Sequence, residues 1–196
     1  MTPLVLGSTS RYRRELLTRL RLPFTVDAPQ VDETPRPGEA PADLALRLAL
    51  EKGREVARRH PGAVVIGADQ VCDLDGEPLG KPGTHARAVE QLRRLSGRTA
   101  IFQTGLAVLR PDIGFERALL APVRVQFRVL DDDAIERYLR LEEPYDCAGS
   151  AKSETLGIAL LDAIHSDDPT ALIGLPLIRV AALLREAGLD ALRHAT

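Results

Sequence analysis

Apolar residues recur along this chain in two periods, and the switches between them set out the elements. Helical spacing governs residues 11–21, where Leu16, Leu17 and Leu20 fall on one face behind a candidate N-cap, Ser10. It returns over 42–59, where Leu44 and Leu48 are followed one turn later by Lys52, and over 85–95, which Ser96-Gly97 closes. Residues 131–141 open with an acidic turn that suits a helix N-terminus, and a last helix over 177–187 stops at Gly188. Short apolar runs mark strands at 4–7, 24–26 and 63–67, the last running into Ala68-Asp69-Gln70. Residues 71–74 and the turn Asp75-Gly76 predict a hairpin, and 99–109 and 115–129 predict two long strands across a turn at 111–114. The Pro-rich acidic stretch 27–41 is a loop, and 146–157 is irregular. Strands alternating with helices, plus a long central hairpin, predict an α/β fold with a mixed twisted sheet and flanking helices.

Length and composition narrow this only a little. The 196 residues suit a single domain, 1–196, with 44% hydrophobic and 28% charged residues. Aromatics are 4% and Trp is absent, so aliphatic residues and Ala must fill the core. A net charge of −2 argues against nucleic-acid polymers and anionic membranes as partners, but a local cation cluster can still hold a small anion. No apolar run is long enough for a membrane span and no signal peptide opens the chain, so the expected location is cytoplasmic. Cys72 and Cys147 match no metal-binding spacing, and the four histidines form no HExxH pair.

Four places carry candidate chemistry. At the strand-to-helix junction Gly7-Ser8-Thr9-Ser10, hydroxyls and helix N-terminal N–H groups favour an anion, and Arg13 and Arg14 add charge. A solvated basic helix face would carry the same residues. Asp69 stands at the end of an apolar strand, where α/β enzymes keep catalytic groups, and could ligate a metal or accept a proton. A turn-capping Asp would occupy the same place. Glu33, in the loop segment Asp32-Glu33-Thr34, could complete a hard-cation site with Asp69. Lys52, Lys81 and Lys152 occupy apolar or constrained settings that suit phosphate contacts, although a lysine there can also simply snorkel to the surface. Phosphate-loop, GxGxxG and nucleophile-elbow motifs are missing, and the 184–188 helix lacks the carboxylates of a Nudix helix.

Taken in order, the segments Ser8-Thr9-Ser10-x-x-Arg13-Arg14-x-Leu16-Leu17, Asp32-Glu33-Thr34, Lys52, Gly67-Ala68-Asp69-Gln70-Val71, Gly80-Lys81-Pro82, Leu95-Ser96-Gly97 and Gly174-Leu175-Pro176 resemble the Maf family of nucleotide pyrophosphatases. The resemblance implies a fold related to inosine triphosphate pyrophosphatases, with two lobes around a cleft. It also implies hydrolysis between the α- and β-phosphates of a nucleoside triphosphate, a divalent metal such as Mg²⁺ or Mn²⁺, and often a homodimer. It assigns Asp69, Lys52 and Lys81 to catalysis, Glu33 with Asp69 to the metal, and Ser8, Arg13, Arg14 and Lys152 to the substrate. A role in inhibiting septum formation, tied to this family, is a competing reading, and dTTP, UTP or CTP are competing substrates.

Gln70 and the segment from Cys147 to Glu154 resemble the branch of the family that acts on 7-methyl-GTP. Glu154 can accept from the N1–H and 2-amino donors of guanine, where a Gln amide would suit a pyrimidine edge. Tyr12, standing where that branch often has Trp, can stack on a purine made cationic by N7-methylation. Tyr12, Gln70 and Glu154 are thus the expected base-side residues.

Overall fold

In the computed structural model, which describes residues 2–194, seven strands form one mixed sheet. The strands are β1 (Leu4–Gly7), β2 (Thr25–Val26), β3 (Val64–Leu74), β4 (Glu77–Leu79), β5 (Thr99–Arg110), β6 (Phe115–Phe127) and β7 (Leu161–His165). Their order is β2-β1-β3-β5-β6-β7, with β4 paired to the far end of β3. β1 runs parallel to β2 and β3, and every other pairing is antiparallel. The helices are α1 (Arg11–Thr18), α2 (Pro41–Arg59), α3 (His85–Leu95), α4 (Asp132–Glu142), α5 (Leu177–Glu186) and the short α6 (Ala191–His194). No helix among the described residues is long and apolar enough to cross a membrane.

Side-chain alternation along β3 explains the layers. Val64, Ile66 and Ala68 pack with Leu16 and Leu17 of α1 and Val180 and Leu184 of α5. Val65 meets Val56 and Ala57 of α2 on the opposite face, and Val71 meets Leu44 and Leu48 of the same helix. Further along, Cys72 and Leu74 join Phe102, Val123 and Val125 beneath Leu92 and Leu95 of α3 and Ile135 and Leu139 of α4. The long strand β3 therefore contributes to four apolar clusters, two of them against α2.

Two glycines let α2 press closely onto the sheet. A Cβ on Gly67 would stand 2.2 Å from the Ala49 carbonyl oxygen and 2.5 Å from the Gly53 nitrogen, both backbone atoms of α2. A Cβ on Gly105, in β5, would stand 2.3 Å from the Ala45 carbonyl oxygen. Only bare backbone fits there, and this contact fixes the height of α2, hence of Lys52, above β3.

Several boundaries differ from the sequence expectation. The helix expected over 11–21 ends at Thr18, because Arg21 takes a left-handed φ of 53° as the chain turns to bury Leu22. The hairpin strand expected at 71–74 is continuous with the strand before it, so β3 is 11 residues long. β6 stops at Phe127, beside a register irregularity against β7. β7 and α6 were not anticipated: β7 is a largely exposed edge strand with little apolar periodicity, and α6 is a single turn.

Candidate active site

The sheet leaves a gap at one edge, and the site opens there. β1 pairs with β3 only as far as Gly67, and β4 pairs with it only from Cys72. Ala68 to Val71 thus have a free edge beyond the carboxyl end of a parallel strand, the usual place for ligands in open α/β sheets. A cavity of about 720 Å³ occupies this position. Among its lining residues are Ser8, Tyr12, Arg13, Glu33, Lys52, Asp69, Gln70, Lys81 and Glu154.

On the face toward α2, Lys52 is the centre of charge. Its Nζ lies 2.7 Å from Asp69 Oδ1 and 2.7 Å from Glu33 Oε1. Lys52 and Asp69 are 5% and 8% exposed, whereas the Glu33 side chain is largely open to solvent. A buried ammonium and a buried carboxylate are tolerable here because each neutralises the other. Asp69 Oδ2 has no hydrogen bond among the described residues and is not sealed off, so one carboxylate oxygen stays free to take a proton or a ligand.

On the other face, Arg13 fastens the free edge of β3 to the loop before α5. Its Nη1 donates to the Ala68 carbonyl at 2.8 Å and to Ser8 Oγ at 3.3 Å, and its Nε donates to the Gly174 carbonyl at 2.9 Å. Burial lowers the Arg13 pKa from the ordinary arginine value, and the charges of Asp69 and Glu33 act in the opposite direction. Ser10 caps α1 as its sequence suggests, accepting from Arg13 N, and Ser8 Oγ accepts from Ser10 N. Gln70 Nε2 donates to Thr104 Oγ1 and to the Ala171 and Leu172 carbonyls, so its amide fixes the turn that forms one wall.

Lys81 lines the cavity from the loop after β4, is exposed, and has no ionic partner among the described residues. Two other sequence candidates are not brought to the cavity wall. Lys152 is buried with its Nζ on the Glu142 carbonyl at 2.8 Å, turned toward α4, and Arg14 lies one position beyond the wall on α1. A constrained lysine in sequence carries no sign of which neighbour it will face.

Two residues escaped the sequence reading, Asp146 and Asp168. Asp146 lines the cavity near Tyr12, together with Arg11 and Cys147. Asp168, 2% exposed, accepts at Oδ2 from Ile178 N (2.8 Å) and Arg179 N (3.3 Å), capping α5. Its Oδ1 accepts from Thr170, so it also shapes the wall turn that Gln70 holds. The run of turn formers Ser166-Asp167-Asp168-Pro169-Thr170, with Asp168 two residues before Thr170, was the available signal.

The model of the family described as Maf-like protein matches residues 3–187. The chain belongs to this family. A protein of Polaromonas sp. named 7-methyl-GTP pyrophosphatase is 67% identical over 95% of this chain and 85% of its own length. Proteins of the same name from Albidiferax ferrireducens and Bordetella pertussis are 60% and 62% identical, each over 96% of this chain and 95% and 94% of their own lengths. A solved Ham1 protein of Staphylococcus aureus shows a slighter likeness, with 18% identity and a TM-score of 0.47 over 64% of this chain and 71% of its own. The family match spans every cavity-lining residue named above.

Proposed function

We propose that this chain hydrolyses a nucleoside triphosphate, 7-methyl-GTP before others, to the monophosphate and pyrophosphate. The observation that carries the reading is the meeting of Lys52, Asp69 and Glu33 at one end of a cavity that Tyr12 and Glu154 also line. The names of the relatives support the choice of nucleotide.

The triphosphate brings several negative charges, and Lys52, Lys81 and Arg13 meet them from three elements. Lys52 is held ready by its two carboxylates, so it needs no reorganisation when charge builds on the phosphates. Asp69 holds the attacking water and takes its proton at the free Oδ2. Glu33 and Asp69 also fit a divalent cation: both are hard carboxylate donors at the same end of the cavity, and each gives only one oxygen to Lys52, leaving Asp69 Oδ2 and the second Glu33 oxygen for a metal. No third His, Cys, Asp or Glu joins them among the described residues, which suits a cation that completes its shell with substrate phosphate and water. Bound there, Mg²⁺ or Mn²⁺ would supply positive charge against the phosphate oxygens. At the base end, Glu154 accepts from N1–H and the 2-amino group of guanine, and Tyr12 stacks on the ring.

The test is pyrophosphate release from 7-methyl-GTP, GTP, UTP, dTTP and CTP with Mg²⁺ or Mn²⁺, for wild type and Glu154→Gln. The reading predicts that 7-methyl-GTP turns over fastest and that the substitution shifts the ratio toward UTP. An unchanged ratio removes Glu154 from the base site, and preference for UTP or dTTP in the wild type overturns the choice of nucleotide.

A further inference from the structure

One cluster at the cavity wall takes no part in the phosphate chemistry. The Arg11 guanidinium lies over the Tyr12 ring, its carbon 4.7 Å from the centroid, and Nη2 donates to Tyr12 Oη at 2.7 Å. Tyr12 Oη in turn donates to Asp146 Oδ1 at 3.3 Å, and Asp146 Oδ2 is 3.9 Å from Arg11 Nη2. All three residues line the cavity, and the Arg11 and Asp146 side chains are 63% and 53% exposed. A planar, delocalised cation therefore already rests on the tyrosine, with a carboxylate at its edge as counter-charge.

Guanine and 7-methylguanine present the same N1–H and 2-amino donors, so the hydrogen-bond pattern at Glu154 does not separate them, and its negative charge adds only the general pull of an anion on the methylated ring. They differ in charge: quaternisation at N7 spreads a positive charge over the ring, and guanine itself is neutral. The feature that can separate them is one that recognises a flat cation. An aromatic face with a carboxylate at its rim is such a feature.

We propose that Tyr12 and Asp146 form the element that selects a cationic base over neutral guanine, and that Arg11 is its built-in competitor. Asp146 attracts the methylated ring. Arg11 occupies the same ring in the free protein and repels an arriving cation, so the base must displace it or stack against its charge. This rests on the reading that the chain takes 7-methyl-GTP. It extends that reading to two residues, and gives them opposite signs. A bridge that merely closed the cavity would give both residues the same sign.

The test is titration calorimetry with 7-methyl-GMP and GMP, without metal and without turnover, on wild type, Asp146→Asn and Arg11→Gln. Both substitutions lie on exposed side chains and keep a hydrogen-bonding group. The wild type should prefer 7-methyl-GMP. Asp146→Asn should cut that preference roughly two- to five-fold, and Arg11→Gln should raise it by a similar factor, the scale of a half-exposed charge pair. The phosphate charge and the cost of lifting Arg11 from the ring are common to both nucleotides and cancel in the ratio of their affinities, so the ratio is the quantity read. The proposal is overturned if both variants move the preference the same way, if GMP affinity changes in parallel so that the ratio stays the same, or if the wild type binds neither nucleotide or both equally. Should calorimetry give the expected signs while 7-methyl-GTP yields no pyrophosphate, the hydrolase reading fails and the base site stands. Should pyrophosphate be released while neither substitution moves the preference, the hydrolase reading stands and Arg11 and Asp146 have no part in choosing the base.

Discussion

Gly67→Ala links the fold to the chemistry in one atom. The added Cβ would meet the Ala49 carbonyl oxygen at 2.2 Å and the Gly53 nitrogen at 2.5 Å. Both are helix backbone atoms, which cannot swing aside as a side-chain tip can. To regain ordinary contact α2 must retreat by about 1 Å, and overpacking of that kind costs about 3 kcal/mol, the upper part of the usual range, because the obstacle is rigid. In a chain of this size that corresponds to a fall in Tm of about 6–12 °C. The retreat also lifts Lys52 from its 2.7 Å contact with Asp69, since Lys52 precedes Gly53 on the same helix turn. A displacement of about 1 Å in a positioned group can lower turnover by about 10²-fold. Gly62→Ala is the control, since nothing lies within 4 Å of its added Cβ and its effect should stay within about 0.5 kcal/mol. Thermal unfolding and pyrophosphate release, measured on both variants, decide the matter. A Gly67→Ala protein within about 2 °C of wild type and at full activity would refute the claim that close helix-to-sheet approach sets the site.

Two further outcomes follow from particular contacts. Asp168→Asn removes the carboxylate that caps α5 and shapes the wall turn, and should cost about 1–2 kcal/mol in urea unfolding, whereas an effect below about 0.3 kcal/mol would deny it the cap. Glu39, hydrogen-bonded by Arg47, is held down to about 2 from 4.5, chiefly by that bond. Its contribution to stability is therefore full above pH 4.5 and lost as pH falls toward 2. Acid unfolding of Arg47→Met should be less steep in that window, and an unchanged slope would contradict the pairing.

The legibility of this chain in its sequence divides along physical lines. Strands β1, β3, β5 and β6 and helices α2 to α5 were readable because each buries a face, and burial writes a period into the sequence. The edge strand β7 buries little and left no such mark. The cavity residues on buried elements, Lys52 and Asp69, could be singled out because a charge within an apolar stripe is conspicuous. That the two meet at 2.7 Å could not be read, since it depends on how close Gly67 and Gly105 let α2 come. The lysines in loops carried no such information: Lys81 faces the cavity and Lys152 turns to Glu142, although their sequence settings look alike. Arg11 and Asp146 meet only because a turn near residue 146 folds back on α1, a contact between positions 135 apart that no local pattern encodes.

The most direct test of the central claim is the product balance of wild type and Asp69→Asn acting on 7-methyl-GTP with Mg²⁺, read by ³¹P NMR. The proposed reaction predicts one pyrophosphate for each monophosphate and no orthophosphate, and the place of Asp69 beside Lys52 predicts loss of turnover in the variant with its fold intact. Orthophosphate and a diphosphate as the products, or an Asp69→Asn protein that works as well as wild type, would contradict it.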